Sequence, residues 1–114
     1  MSAITTHVLD ISRGRPASGV PIQLEAQEAD GNWRALSSGA TDDDGRLRNL
    51  LPVDFDLQPG IYRLIFDTAA YFEAHSLRSF YPHVSIAFLI HDETEHYHVP
   101  LLVSPYGYST YRGS

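Results

Sequence analysis

The stretch HYHVPLLVSPYGYSTYRGS, residues 96–114, is the part of the chain around which the rest can be interpreted. It opens with two histidines two positions apart, continues as an apolar run, turns at 105–107 and ends in a polar segment rich in tyrosine. Strands are therefore predicted over His96–Ser104 and Tyr108–Arg112. Because chain termini usually fray, a terminus this rich in aromatic residues is expected to pack against the rest of the fold.

Composition limits the class of protein before any motif is considered. A length of 114 residues predicts a single domain over 1–114. The absence of cysteine excludes disulfides and thiol catalysis. A net charge of −6 without a basic block disfavours binding to nucleic acids or anionic membranes. The start of the sequence lacks signal-peptide features and no apolar run could span a bilayer, so a cytoplasmic location is expected.

Working upstream from residue 96, most of the chain is predicted to form strands. The clearest case is Val20–Gln27, where apolar and polar side chains alternate. Further strands are predicted over Ile4–Ile11, Trp33–Thr41, Arg48–Leu51, Ile61–Asp67 and Val84–Ile90. One short helix is predicted over Thr68–Ser76, which contains no Gly or Pro. About eight short strands at this spacing are typical of a two-sheet β-sandwich, an all-β fold.

The histidines at the start of the terminal stretch are the first candidates for chemistry. His96 and His98 share one face of a strand, and imidazole titrates near neutral pH. The pair could bind a metal, transfer protons or simply lie on a solvated surface, and the pattern alone leaves these alternatives open. A zinc site would need a third ligand from His7, His83, His91 or a carboxylate.

Arg46 is the second candidate, because it directly follows the acidic turn 42–45. Three consecutive aspartates do not have the alternate spacing of a calcium-binding EF-hand loop. A guanidinium one residue beyond the turn would suit a planar anion. The sequence contains no Gly-X-Ser-X-Gly elbow, phosphate-binding glycine loop or His-Glu-X-X-His motif.

Five short motifs taken together resemble the transthyretin-related proteins, and more narrowly their 5-hydroxyisourate hydrolase branch. They are THVLD at 6–10, GRPA at 14–17, TDDDGR at 41–46, HYHVPLL at 96–102 and YRGS at 111–114. The closing YRGS is the most discriminating motif, because the hormone-carrying transthyretins share the fold but lack this ending and these histidines. The resemblance covers nearly the whole chain.

The resemblance implies a fold and an activity. The fold would be two four-stranded sheets with a short helix between the fifth and sixth strands, and the first, seventh and eighth strands would be neighbours. The activity would be ring-opening hydrolysis of 5-hydroxyisourate to 2-oxo-4-hydroxy-4-carboxy-5-ureidoimidazoline, with no cofactor and no metal. The protein would be a homotetramer with its active sites in channels between subunits.

The resemblance also implies roles for individual residues. The catalytic candidates are His7, Arg46 and His98. The substrate-binding candidates are His7, Arg46, His96, Tyr111 and Ser114. We expect His98, with His7 as its partner, to take a proton from water, while Arg46 holds the anionic substrate. Two alternatives are a non-catalytic carrier of a planar ligand and a zinc-dependent hydrolase that uses His96, His98 and His7.

Overall fold

Two β-sheets packed face to face form the protein in a computed structural model that describes residues 2–114. The elements are β1 Ile4–Asp10, β2 Arg15–Pro16, β3 Pro21–Gln27, β4 Trp33–Ala40, β5 Arg46–Leu47, β6 Gly60–Phe66, α1 Thr68–Ala74, β7 Val84–Ile90, β8 Tyr97–Ser104 and β9 Gly107–Thr110. The β-sandwich predicted from the sequence is confirmed.

The strand order explains how the two ends of the sequence meet. The first sheet has the order β2-β1-β8-β9, with β5 also paired to β1, and the second has the order β4-β3-β6-β7. β1 and β8 run parallel, whereas β8 and β9 form an antiparallel pair. The predicted packing of the terminal stretch against the rest of the fold is therefore realised by β8 lying directly beside β1.

The core lies between the two sheets and follows the alternation visible in the sequence. In β3 the side chains of Ile22, Leu24 and Ala26 are buried, while the intervening residues are partly exposed. Leu101 of β8 in the first sheet and Leu64 of β6 in the second are both completely buried. Since burying one such side chain stabilises a fold by about 1.5–3 kcal/mol, these inward faces fix which side of each strand remains available for function.

The helix α1 follows β6 and buries Thr68, Tyr71 and Phe72. The Asp67 carboxylate accepts a hydrogen bond from the Ala70 amide at 3.1 Å and so caps its first turn. The helix ends at Ala74, two residues before the predicted end, because Ser76 adopts a left-handed conformation with φ of 60°. Within residues 2–114, no helix is long and apolar enough to cross a membrane.

Besides shifts of one or two residues at the ends of elements, such as the last strand at Gly107–Thr110 instead of Tyr108–Arg112, two details of the sequence prediction are wrong. No strand forms over Arg48–Leu51; the short strand β5 lies immediately before it. Leu50 and Leu51 are both buried, and consecutive inward side chains do not fit the alternation of a strand. The predicted loop at 13–19 contains the two-residue strand β2, which pairs with Leu9 and Asp10 of β1.

Candidate active site

Strand register gathers the candidate residues on the outer face of the first sheet. In β1, His7 pairs with Arg46 of β5 on one side, and Thr5 pairs with His98 of β8 on the other. Residues directly opposite in neighbouring strands project to the same face. Thr5 and His7 are two residues apart in β1 and therefore share this face as well. The three strands thus present a hydroxyl, two imidazoles and a guanidinium side by side.

The backbone of Arg46 is held in place by the turn before it. The Asp42 carboxylate accepts hydrogen bonds from the amides of Asp44 at 2.9 Å and Arg46 at 3.0 Å, and these bonds lower the pKa of Asp42. Gly45 has φ of +77°, and a Cβ there would lie 2.4 Å from the carbonyl oxygen of Val8. Only glycine fits both the conformation and the space, so the turn sits directly against β1.

Residues 112–113 contact β8 at several points. The Gly113 amide donates to the His98 carbonyl at 2.8 Å, and a Cβ at position 113 would lie 2.6 Å from Cδ2 of the His98 ring. The Arg112 guanidinium stacks over the Tyr97 ring at 4.6 Å. Because the backbone at 113 has no side chain, it can approach the imidazole closely. This approach places Ser114 in the cavity beside His98.

A cavity of about 250 Å³ lies on this face. Its walls are formed by Thr5, Thr6, Arg46, Arg48, His96, His98 and Ser114. Two guanidinium groups and two imidazoles in one small cavity suit a planar anionic ligand with several hydrogen-bond acceptors.

Four of the predicted site residues are therefore brought together, and two lie beside the cavity. Arg46, His96, His98 and Ser114 line it, while His7 is adjacent through its pairing with Arg46. Tyr111 is 58% exposed and lines a neighbouring cavity of about 400 Å³, which also reaches His98.

The ring of His7 has a defined hydrogen bond. Its Nε2 lies 2.9 Å from the carbonyl oxygen of Asp44. A carbonyl can only accept, so Nε2 carries the proton, and neutral His7 keeps Nδ1 as its acceptor.

His98 makes its contact through the other ring nitrogen. Its Nδ1 lies 2.8 Å from the Thr5 hydroxyl oxygen, and Nε2 of His96 lies 3.0 Å from the same oxygen. Among residues 2–114, no hydrogen-bond partner is found for Nε2 of His98.

Electrostatics favours the neutral form of both central histidines. Burial is the largest cause that lowers the pKa of His98 below 6.5, followed by the positive charge of Arg46. The pKa of His7 is lowered for the same two reasons in the same order. Neutral imidazole is the form that can accept a proton, so both rings are suited to act as bases at neutral pH.

Sequence reasoning missed three residues that line this cavity, namely Thr5, Thr6 and Arg48. Thr5 is two positions before His7, and Arg48 is two positions after Arg46, so each could have been found by extending the alternation from a predicted site residue.

The ligands proposed for zinc do not assemble. Within residues 2–114, no three side chains of His, Cys, Asp or Glu are grouped so as to hold a metal ion. His83 lines a separate cleft together with Asp67, and His91 lines the cavity that contains Tyr111.

The chain is similar to several known proteins in sequence and in fold. The model of the HIUase/Transthyretin family matches residues 4–113. The 5-hydroxyisourate hydrolase of Salmonella dublin is 50% identical over 111 residues, which cover 97% of this chain and 80% of that protein. The solved structure of Klebsiella pneumoniae 5-hydroxyisourate hydrolase is 36% identical with a TM-score of 0.84, covering 97% of this chain and 98% of that one.

A transthyretin structure is similar as well. Sea bream transthyretin, solved in complex with thyroxine, is 31% identical with a TM-score of 0.92, covering 98% of this chain and 95% of that one. The backbone thus resembles both a transthyretin and a 5-hydroxyisourate hydrolase. Because one fold can host unrelated functions, the site must distinguish between them.

Proposed function

Because this chain belongs to the HIUase/transthyretin family, we propose that it is a hydrolase that opens the ring of 5-hydroxyisourate to give 2-oxo-4-hydroxy-4-carboxy-5-ureidoimidazoline. The relatives from Salmonella and Klebsiella that carry this name support the proposal. The observation that carries it is the cavity where Arg46 and Arg48 face the neutral imidazole of His98. The resemblance predicted from the sequence is confirmed.

His98 acts as the general base in this proposal. Its Nε2 takes a proton from water, the water oxygen bonds to a carbonyl carbon of the ring, and negative charge develops on the carbonyl oxygen. The carbon–nitrogen bond of the cyclic amide then breaks, and the proton held on His98 passes to the departing nitrogen. His7 is the partner of His98, because its own lowered pKa keeps a second positive charge away from the base.

The guanidinium groups bind the substrate and stabilise the developing charge. The backbone of Arg46 is fixed by the 42–45 turn, and its guanidinium lines the cavity in which the oxyanion develops. Arg48 adds a second positive charge in the same cavity. His96 and Ser114 line the remaining wall and orient the substrate.

The assembly belongs to the proposal as well. β9 and β7 are edge strands of the two sheets, and exposed edges are available for pairing with another chain. Leu89 of β7 is 53% exposed and Tyr108 of β9 is 42% exposed. We propose a homotetramer with the sites between subunits, in which Tyr111 contacts substrate from the adjoining cavity. Light scattering after size-exclusion chromatography tests it. The cytoplasmic location and the single domain over 1–114 stay predictions.

An ultraviolet assay tests the activity. The purified protein is expected to accelerate the decay of freshly prepared 5-hydroxyisourate, with the same rate in the presence of a chelator. His98→Ala should lower turnover by about 10²–10⁴-fold, the usual contribution of a general base. His83→Ala is the matched control, because that histidine lies in a separate cleft, and it should keep the original rate. Full activity of His98→Ala would contradict the assigned role.

The likeness to sea bream transthyretin makes a carrier the second candidate. A carrier would bind a planar aromatic ligand without turning it over, which calorimetry combined with the same assay would reveal. The guanidinium and imidazole groups in the cavity favour the hydrolase, because an apolar ligand needs a mainly apolar site.

A further inference from the structure

The hydroxyl of Thr5 bridges two histidines. Its Oγ1 is 2.8 Å from Nδ1 of His98 and 3.0 Å from Nε2 of His96. Thr5 is only 4% exposed, so these two rings and not bulk water are the partners of its hydroxyl. His98 is partly buried, whereas His96 is exposed to solvent.

A hydroxyl has one proton, and this restricts both rings at once. Thr5 can donate to only one imidazole and must accept from the other. If His98 is the base through Nε2, its neutral ring carries the proton on Nδ1 and donates it to Thr5. Thr5 then donates to Nε2 of His96, and neutral His96 carries its own proton on Nδ1. The three groups therefore form one directed chain of hydrogen bonds along the wall of the cavity.

We propose that Thr5 is a positioning residue whose hydroxyl holds His98 in the tautomer required of a base. The inference rests on the proposed hydrolase function. It gives His96 a role beyond lining the cavity, because His96 accepts the Thr5 proton and so leaves the Thr5 oxygen free to accept from His98.

The proton balance of the reaction requires that His98 return to this tautomer after each turnover. Hydrolysis of a cyclic amide adds the oxygen and both protons of water. One proton passes through Nε2 of His98 to the ring nitrogen, while the new carboxyl group ionises at neutral pH, because carboxyl groups titrate near pH 4. The second proton leaves to water in the cavity. Throughout, the Nδ1 proton of His98 stays in its bond to Thr5, so Nε2 is free again to act as the base.

Nitrogen-15 spectra of the histidine rings test the arrangement without any need for turnover. In the wild-type protein, neutral His98 and His96 should both be protonated at Nδ1. His7 is an internal reference, because its bond to the Asp44 carbonyl requires protonation at Nε2. Thr5→Val keeps the shape of the side chain but removes the hydroxyl, so His98 should then populate both tautomers. Thr5→Ser should restore the wild-type pattern.

Kinetics tests the positioning role. Thr5→Val should lower kcat by about tenfold, less than the ~10²–10⁴-fold contribution of the base itself, with little change in KM. Thr5→Ser should recover most of the rate. The matched control is Thr94→Val, whose hydroxyl donates to the Asp92 carboxylate in the turn before β8, and it should keep the original kcat.

Two results would overturn the inference. One is a wild-type His98 protonated at Nε2, and the other is a Thr5→Val protein with unchanged kcat. Should Thr5→Val fail to fold, the wild-type and Thr5→Ser spectra still decide the tautomers. If the wild-type protein does not accelerate the decay of 5-hydroxyisourate, the hydrolase proposal fails, while the spectra separately report whether Thr5 orders the two rings.

Discussion

The two ends of strand β1 carry polar groups in different surroundings, one buried in the core and the others beside a cavity. At one end, the fully buried Asp10 carboxylate accepts from the Tyr71 hydroxyl at 2.8 Å and from the Ser12 amide at 3.0 Å. At the other end, Thr5 and His7 face a cavity or its rim. A buried polar group whose hydrogen bonds are satisfied stabilises the fold. A histidine that faces a cavity and has one ring nitrogen without a hydrogen-bond partner can instead react with a ligand.

Arg46→Gln is expected to give the largest loss of activity with the smallest loss of stability. Activity should fall by about 10²–10³-fold, as for the loss of one group that stabilises an oxyanion, while the free energy of unfolding changes by less than about 0.5 kcal/mol. Steady-state kinetics and urea unfolding on the same preparations measure both. A large loss of stability would mean that Arg46 supports the fold instead.

The same variant should shift the pH profile. In the wild-type protein kcat/KM is expected to fall as the pH drops through the lowered pKa of His98, below 6.5. Arg46 is the second cause of that lowering, after burial. Removing its charge should raise the pKa of His98 and move the acid limb of the residual activity to higher pH. An unmoved limb would indicate that another group controls it.

Gly45→Ala should lower both the stability and the activity of the protein. The new Cβ would meet the Val8 carbonyl oxygen at 2.4 Å in a left-handed conformation, which costs about 1–3 kcal/mol or more. Activity should fall too, because the displaced turn carries Arg46. Gly31→Ala is a matched control, since its φ is +88° but nothing lies near the added Cβ. Equal losses in the two variants would show that backbone conformation alone is responsible.

Tyr71→Phe should affect only the Asp10 end. The carboxylate would lose its phenolic donor inside the core, at a cost of about 1–3 kcal/mol. kcat should stay within about twofold, because Tyr71 lies outside the cavity. Thermal unfolding combined with the ultraviolet assay tests this. A strong loss of kcat at unchanged stability would show that the Asp10 end of β1 also influences catalysis.

The smallest effect is expected from Asp67→Ala at the start of α1. Loss of the hydrogen bond from the Ala70 amide should cost about 0.5–2 kcal/mol without changing kcat. Asp67→Asn should retain most of the stability, because its side-chain oxygen can accept the same bond.

Acid should also weaken the fold through the site itself. His7 and His98 have lowered pKa values in the native state, so the unfolded chain binds more protons once the pH falls below about 6.5. Stability contributed by these groups is present above that pH and is lost as the pH falls through their native pKa values. Unfolding of a His7→Gln variant should show a shallower pH dependence over this range.

Sequence reasoning succeeded where side-chain alternation was regular. The alternation in β3 and the apolar run of β8 predicted both strands, because their inward faces meet one core. It failed at Arg48–Leu51, where tertiary packing buries two consecutive leucines in an irregular segment.

The site was only partly predictable for a related reason. His96, His98 and Arg46 have distinctive chemistry, but Thr5 acquires its importance from a neighbour that lies 93 positions away in sequence. The local alternation places Thr5 on the same face as His7, but it does not encode the contact with His98. Parallel pairing of β1 with β8, which is a property of the whole fold, creates it.

That parallel pairing also sets the order of events during folding. Closing a loop of this length costs chain entropy before any contact repays it, and long-range pairing slows folding. During synthesis, β1 emerges before β8, and every element from β2 to β7 is made between them. The hydroxyl of Thr5 and the imidazole of His98 therefore cannot meet until all of those elements have left the ribosome, so a nascent chain holds half of the candidate site long before it can complete it.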